Sequence, residues 1–237
     1  QLHQTIASAG GLATSSGIQL SYTVGQPLTS TLVNGASMLT QGFQQPFQLK
    51  LNLKAFHEGY YTGGSGMGPV LLNQSVSLDP QITDSILIEL HAGNSPYSLV
   101  WSGKTIINTN GQAWVSGFGL PSSPVYIVIK HRNSIETWSA NPVAIQEMTS
   151  YDFSVAATQV YGGNQHEVES GIFAFLTGDM NQDGVVDGLD YNDWEIDNNN
   201  FGSGYLSTDL NGDGIVDGLD FLLWEVNNNN FAGVLQP

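Results

Sequence analysis

Asp179–Phe201 reads DMNQDGVVDGLDYNDWEIDNNNF, and Asp209–Phe231 writes the same sentence again as DLNGDGIVDGLDFLLWEVNNNNF. Numbered from its first Asp, each copy places a carboxylate or an amide at positions one, three, five, nine and twelve. These are Asp179, Asn181, Asp183, Asp187 and Asp190 in the first copy and Asp209, Asn211, Asp213, Asp217 and Asp220 in the second. Gly184 and Gly214 stand at position six, where a sharp turn lets the next carbonyl, that of Val185 or Ile215, point inward. Neither loop holds a His or Cys, so every donor is a hard oxygen. Such a set suits calcium and argues against zinc or copper; magnesium, which wants a compact, partly hydrated octahedron, fits less well. Two calcium ions, one per loop, are the expectation.

Position twelve is Asp in both loops, shorter than the Glu of calmodulin-like EF-hand loops. The tandem spacing D-x-N-x-D-G-x-x-D-x-x-D resembles the dockerin module of bacterial extracellular assemblies. That resemblance implies a small α-helical, two-loop calcium module over 177–237, with helix residues after the loops contacting a cohesin-bearing partner. The two helices differ. Leu219, Leu222, Leu223 and Val226 make an i, i+3, i+4, i+7 apolar stripe, where the first copy has Leu189, Asn192, Asp193 and Ile196. The stripe is expected either to pack on the rest of the chain or on its twin, or to serve as a docking face.

Five Lys plus Arg against twenty-one Asp plus Glu give 237 residues a formal charge of −16. That balance disfavours nucleic acid and anionic membrane as partners. The acids are concentrated in Gly178–Pro237, a segment without Lys or Arg, so the acidity largely reports the loops. With no Cys, the chain has neither a disulfide framework nor thiol chemistry, and calcium is available to take the stapling role. Loops of this type bind at roughly 10⁻⁴–10⁻³ M in extracellular settings. No apolar run approaches a membrane span. No signal peptide precedes Gln1, so the expectation is a secreted, extracellular or cell-surface protein whose leader has been removed.

Residues 1–49 contain no charged side chain but carry strand-like pieces, GIQLSYTVG and STLVNGASMLTQGF. Ile18, Leu20, Tyr22 and Val24 alternate onto one face. Uncharged strands lack the charges that stop edges pairing with other chains. Two readings therefore stand for the segment 1–48: a β unit packed within its own molecule, or one that self-associates with neighbouring subunits. SAGG, SYTVGQP and LTQGFQQP resemble the openings of secreted bacterial proteins that carry a type IX sorting domain, which implies a compartment more than a mechanism.

From Leu49 the pattern changes. Leu49, Leu51 and Leu53 alternate with Lys50, Asn52 and Lys54, and further strand signals follow at Ile86–Leu90, Leu99–Trp101, Ala113–Val115 and Val125–His131. Short β pieces bounded by Gly, Pro, Asn and Ser predict a mainly β chain with an antiparallel β-sandwich over 49–176. KHRNSIETWSANPV, YDFSVAATQVYG and SGIFAFLTGDMNQDG resemble segments ahead of dockerin-like repeats in such secreted proteins. TGGSGMG at 62–68 matches no phosphate loop and is expected to be a flexible connection.

Catalytic signatures are missing: no Gly-x-Ser-x-Gly, no HExxH, no Cys. Lys130, His131, Arg132, Glu136 and Trp138 offer acid, base and cation close together, but strand alternation predicts that His131 cannot share a face with both Lys130 and Arg132. That cluster reads as a surface ion pair beside a buried Trp, and the remaining histidines as scattered. Asp84-Ser85-Ile86 resembles an O-glycosylation acceptor, which implies a glycan on Ser85. Three functions compete: a non-enzymatic structural or adhesive surface protein, in its sharpest version a filament subunit joined through its N-terminal strands; a dockerin that docks on a cohesin-bearing partner; and a carbohydrate-binding accessory protein with Trp101, Trp114 or Trp138 as sugar platforms.

Overall fold

The structure is a computed structural model that describes residues 9–15, 18–24, 30–34, 37–41, 49–117, 119, 121 and 123–237. It divides into two compact units, Gln1–Phe47 and Gln48–Pro237. In the first unit, β1 (Ala9–Ser15) pairs antiparallel with β2 (Ile18–Val24), and β3 (Ser30–Asn34) with β4 (Ser37–Gln41). Each pair is a two-stranded sheet, so every one of these strands is an edge. The GFQQP end of the opening segment lies outside the described residues.

The second unit is built on β5 (Lys50–Lys54), β6 (Tyr61–Gly63), β7 (Gly66–Met67), the short helix α1 (Val70–Asn73), β8 (Ile82–Ala92), β9 (Leu99–Asn108), β10 (Gln112–Ser116), β11 (Val125–His131), β12 (Ser134–Trp138), β13 (Met148–Asp152), β14 (His166–Glu169) and β15 (Ile172–Ala174). Seven of these strands hydrogen-bond into one sheet in the order β12-β11-β8-β9-β10-β5-β13. Its inward positions are apolar at every second residue: Leu51 and Leu53, Ile86, Ile88 and Leu90, Ala113 and Val115, all buried. The chain is therefore mainly β, as alternation predicts, but the sheet is not purely antiparallel. β13 runs parallel to β5, with Met148 opposite Lys50. Parallel neighbours need a long crossover rather than a hairpin, and here most of the sheet lies between the two strands in sequence, out of reach of local pattern.

The Gly-rich stretch is a hairpin rather than a loose connection. Tyr61 pairs with Met67 and Gly63 with Gly66, and Glu169 clamps the turn, accepting from Tyr61 Oη at 2.6 Å and from Gly64 N at 2.9 Å.

Two helices, α2 (Gly188–Asn199) and α3 (Gly218–Asn229), follow the twin loops. They are not appended on a tether. Ile135 of β12 shares one buried cluster with Met180, Val186, Leu210, Trp224 and Ala232, and Leu176, Tyr191, Trp194, Phe221, Leu223 and Val234 pack against it. No helix among the described residues is long and apolar enough to cross a membrane.

Candidate functional site

Each loop is drawn into shape by its own acceptor side chains. Asp179 accepts from the amides of Asp183 (3.1 Å) and Gly184 (3.2 Å), and Asn181 from Asp183 (2.8 Å). Asp183 in turn accepts from Val185 N at 3.1 Å. The second loop repeats the pattern: Asn211 accepts from Asp213 (2.8 Å), Asp213 from Ile215 (2.9 Å) and Asp209 from Gly214 (2.8 Å). The position-six glycines carry φ of 93° and 92°, a left-handed turn that a Cβ would strain.

Position twelve reaches back across the loop. Asp190 accepts from Met180 N and Asp187 N at 2.7 and 2.9 Å, and Asp220 from Leu210 N and Asp217 N, both at 2.8 Å. Asp187 and Asp217 cap the helices as well, accepting from Leu189 N and Leu219 N at 2.7 Å, so each loop exit is also a helix start. Burial, with Asp190 close by, pushes the Asp179 carboxyl up to about 6; burial, with Asp209 adding, does the same to Asp220. Among the described residues, no three His, Cys, Asp or Glu side chains stand together as a ready-made chelate. The loops as folded direct their carboxylate oxygens at backbone N–H groups, and part of each donor set is an Asn amide and a peptide carbonyl. The chemistry of that set remains hard oxygen throughout, which fits calcium.

The two repeats close each other. Val186 N donates to Ala232 O and Val216 N to Gly202 O, at 2.8 and 2.9 Å, so each loop pairs with the tail of the opposite helix. The indole N–H of Trp194 reaches Asp217 O and that of Trp224 reaches Asp187 O, both at 3.0 Å.

Beneath the second loop lies a buried polar seam. Asp84, fully buried in β8, accepts from His131 Nε2 (3.1 Å), Arg132 Nε (3.2 Å) and Tyr205 Oη (2.7 Å). The Arg132 guanidinium goes on to Tyr60 Oη (2.8 Å), Gln74 Oε1 (3.1 Å) and the Leu206 carbonyl, and lies 4.2 Å over the Tyr205 ring. Asn133 accepts from His57 Nε2 (2.9 Å) and His131 Nδ1 (3.0 Å) and donates to Asp209 O (3.1 Å). Gln74 Nε2 completes the path by donating to Asp209 Oδ2. Burial by itself would raise the Asp84 carboxyl, but the hydrogen bond and charge of His131, joined by Arg132, hold it far below the carboxylate range. Burial and then the charge of His131 push His57 well below 6.5.

The surface ion pair and the buried Trp stand as expected, in Lys130 with Glu136 and in Trp138, but alternation does not extend to Arg132. The register slips between Ile129 and His131, and Arg132 stands in the turn that follows, so His131 and Arg132 both meet Asp84 while Lys130 faces away to Glu136 (2.8 Å) and Glu89 (3.3 Å). His57 and His131 are not scattered: their rings are 4.7 Å apart. Asn133, Tyr60 and Gln74 went unnoticed because no local spacing joins residues so far apart in the chain. Buried on all sides, the Asp84–His131 pair offers no open face to a substrate.

No family model matches the sequence, and no curated protein matches it. Among solved structures, the chain is similar to two from Acetivibrio cellulolyticus, an N-terminal and a C-terminal interface mutant of a type II cohesin–X-dockerin complex. The first has a TM-score of 0.45 at 12% identity, over 78% of this chain and 97% of that one; the second has 0.46 at 12%, over 79% and 97%. Overlaps this loose transfer neither a fold nor a function.

The α3 stripe splits. Leu219, Leu222 and Val226 are 56%, 53% and 48% exposed, whereas Leu223 turns inward to the shared cluster, so one member of the expected docking face is a packing residue. Leu189, Ile196, Phe201 and Phe231 are exposed as well, the two Phe residues at positive φ just past their helices. Trp138 is buried against Tyr126 and Val128 and cannot be a sugar platform; Trp114 is 48% exposed. Ser85 is half-buried, its Oγ 3.5 Å from Tyr205 Oη.

Proposed function

We propose that the chain is an extracellular, non-enzymatic structural or adhesive surface protein, in which a dockerin-like module over 177–237 holds two calcium ions and the uncharged strands of 1–48 pair with neighbouring copies into a filament. The observation that carries the reading is the pair of all-oxygen loops drawn into the same turn by the same set of bonds. Asp179, Asn181, Asp183, Val185 O, Asp187 and Asp190 would hold one ion, and Asp209, Asn211, Asp213, Ile215 O, Asp217 and Asp220 the other. Each ion would neutralise carboxylates that repel one another within the loop. Support for assembly comes from the four edge strands of the first unit in a segment without a single charge. Calorimetry in millimolar calcium tests the metal, and electron microscopy of the same sample tests the filament. A chain that takes up no calcium, or that stays monomeric at high concentration, overturns the corresponding half.

The exposure of Leu219, Leu222 and Val226 on α3 favours a second reading, in which the module docks on a cohesin-bearing protein. Changing these three to Ser should then abolish capture of that partner while leaving calcium uptake intact. If pull-downs recover no such partner, this reading is lost.

A further inference from the structure

The two loops share a sequence but not a foundation. Asp179 accepts from Asp183 and Gly184, both in its own loop. Asp209 accepts from Gly212 and Gly214 of its loop and also from Gln74, a side chain of the sheet domain just past α1. The sheet domain holds the second loop at three further points. Asn133 donates to Asp209 O at 3.1 Å, Asn73 Nδ2 donates to Gly212 O at 3.0 Å, and Gly59 lies so close that an added Cβ would sit 2.0 Å from Leu210 O. Gly212 is pressed in the same way, a Cβ there meeting Val70 at 2.4 Å. Across the seam, Gln74 is itself fixed by Arg132, which is anchored on buried Asp84. By contrast, among the described residues no side chain of the sheet domain donates to a carboxylate of the first loop: the sheet meets that loop through Ile135 packed on Met180 and Val186, through Gly178 N to Asn133 O at 2.8 Å just ahead of it, and through Gln182 Nε2 to Ser134 O at 3.4 Å, a donor on the loop rather than on the sheet.

A donor that orients a ligating carboxylate from behind lowers the cost of organising the site, and its loss typically weakens a metal site about 10–100-fold. We propose that the two calcium loops are unequal, with Gln74 as the positioning residue that makes the second loop the tighter site, filled first and linked to the sheet domain, while the first loop fills last and acts locally. The proposal rests on the calcium reading above. It makes the second ion part of the seam that joins the repeats to the sheet, and leaves the first as the one that responds to the ambient calcium level.

The experiment titrates the full chain with calcium, starting from chelated protein, and follows the amide resonances of Gly184 and Gly214 beside calorimetry. Gly214 should saturate at a calcium concentration at least about tenfold below Gly184. Gln74→Met, close in size but without the donor, should bring the Gly214 midpoint up to that of Gly184 and leave the Gly184 midpoint in place, with far-UV circular dichroism confirming the sheet. Coincident midpoints in the unmutated chain overturn the proposal, and they do so whether or not the variant folds. A Gln74→Met shift that is equal at both glycines, or absent, overturns the role of Gln74. No calcium response at either glycine overturns the calcium reading itself, a distinguishable result.

Discussion

Trp194 donates its indole N–H to the carbonyl of Asp217, 3.0 Å away on the opposite repeat, and Trp224 returns the bond to Asp187. Each acceptor belongs to the residue that caps a helix and ends a loop, so each Trp steadies the exit of the other repeat's loop. Trp224→Phe keeps most of the ring and strips the Asp187 carbonyl of its shorter bond, leaving it only the Tyr191 amide at 3.4 Å. Urea unfolding should show a loss of about 1–3 kcal/mol, with a smaller loss for the more exposed Trp194→Phe. Two neutral substitutions would show that the bonds are incidental.

Chelation should lower the melting temperature and open 178–237 to proteases. An ion present at 100 times its dissociation constant stabilises by about 2.7 kcal/mol per site, and its removal leaves Asp179 and Asp190, or Asp209 and Asp220, facing each other across a loop. Scanning calorimetry with and without chelator, and mapping of the first proteolytic cuts, check this. First cuts in the sheet domain would contradict it.

Asp84 has replaced its water with three side-chain donors and the Ser85 amide, so removing any part of the pair leaves a charge stranded in the interior. Arg132→Leu should cost about 3–5 kcal/mol, as breaking a buried ion pair does, and Asp84→Asn should weaken the chain in the same direction. Denaturant titration decides; a loss below about 1 kcal/mol, the range of a surface pair, would mean that the seam is wetter than its geometry says.

Acid should act on the same seam in two windows. The folded pKa of His57 lies below the unfolded 6.5, so between those values the unfolded chain binds a proton that the native chain refuses. Stability is complete above 6.5 and falls as the pH drops below it, at no more than about 1.4 kcal/mol per unit. For Asp84 the folded carboxyl is depressed, so its contribution is present above the unfolded value of about 3.9 and is lost as the pH falls further. In saturating calcium, His57→Gln should flatten the first window and leave the second. An unchanged slope between pH 6.5 and 5 would remove His57 from the account.

Leu222→Ser should change stability by no more than about 0.5 kcal/mol, because the side chain already faces water. Leu223→Ser, one residue on, should cost several times that, because its side chain packs against the shared cluster. Comparing the two in urea separates a surface residue from a packing residue within one helix.

What the sequence disclosed follows the range of its signals. The loops were legible because position, spacing and residue type repeat within a dozen residues, β5, β8 and β10 because Leu51, Ile88 and Ala113 alternate with polar or outward neighbours, and β11 because Val125–Ile129 is one unbroken apolar run, buried on both faces. The parallel seat of β13 beside β5 was not legible, since pairing over that separation leaves no local trace. The seam was hidden for another reason. Asp84 reads locally as part of a glycosylation-like tripeptide, His131 as one position of an alternating strand, and Gln74 carries no local signal at all. A register slip ahead of a turn then placed His131 and Arg132 on the same carboxylate. The α3 stripe was legible as a face but not as two faces, because Leu222 and Leu223 differ only in which side of the helix meets the sheet.

The strand contacts of Val186 with Ala232 and of Val216 with Gly202 carry a consequence for how such a module is inherited and reused. A single copy, though it contains a complete loop and a complete helix, has no wall for its own loop; the wall is supplied by the tail of the other. The unit that can be duplicated, transplanted or lost is therefore the pair, and half of it is a fragment rather than a smaller domain.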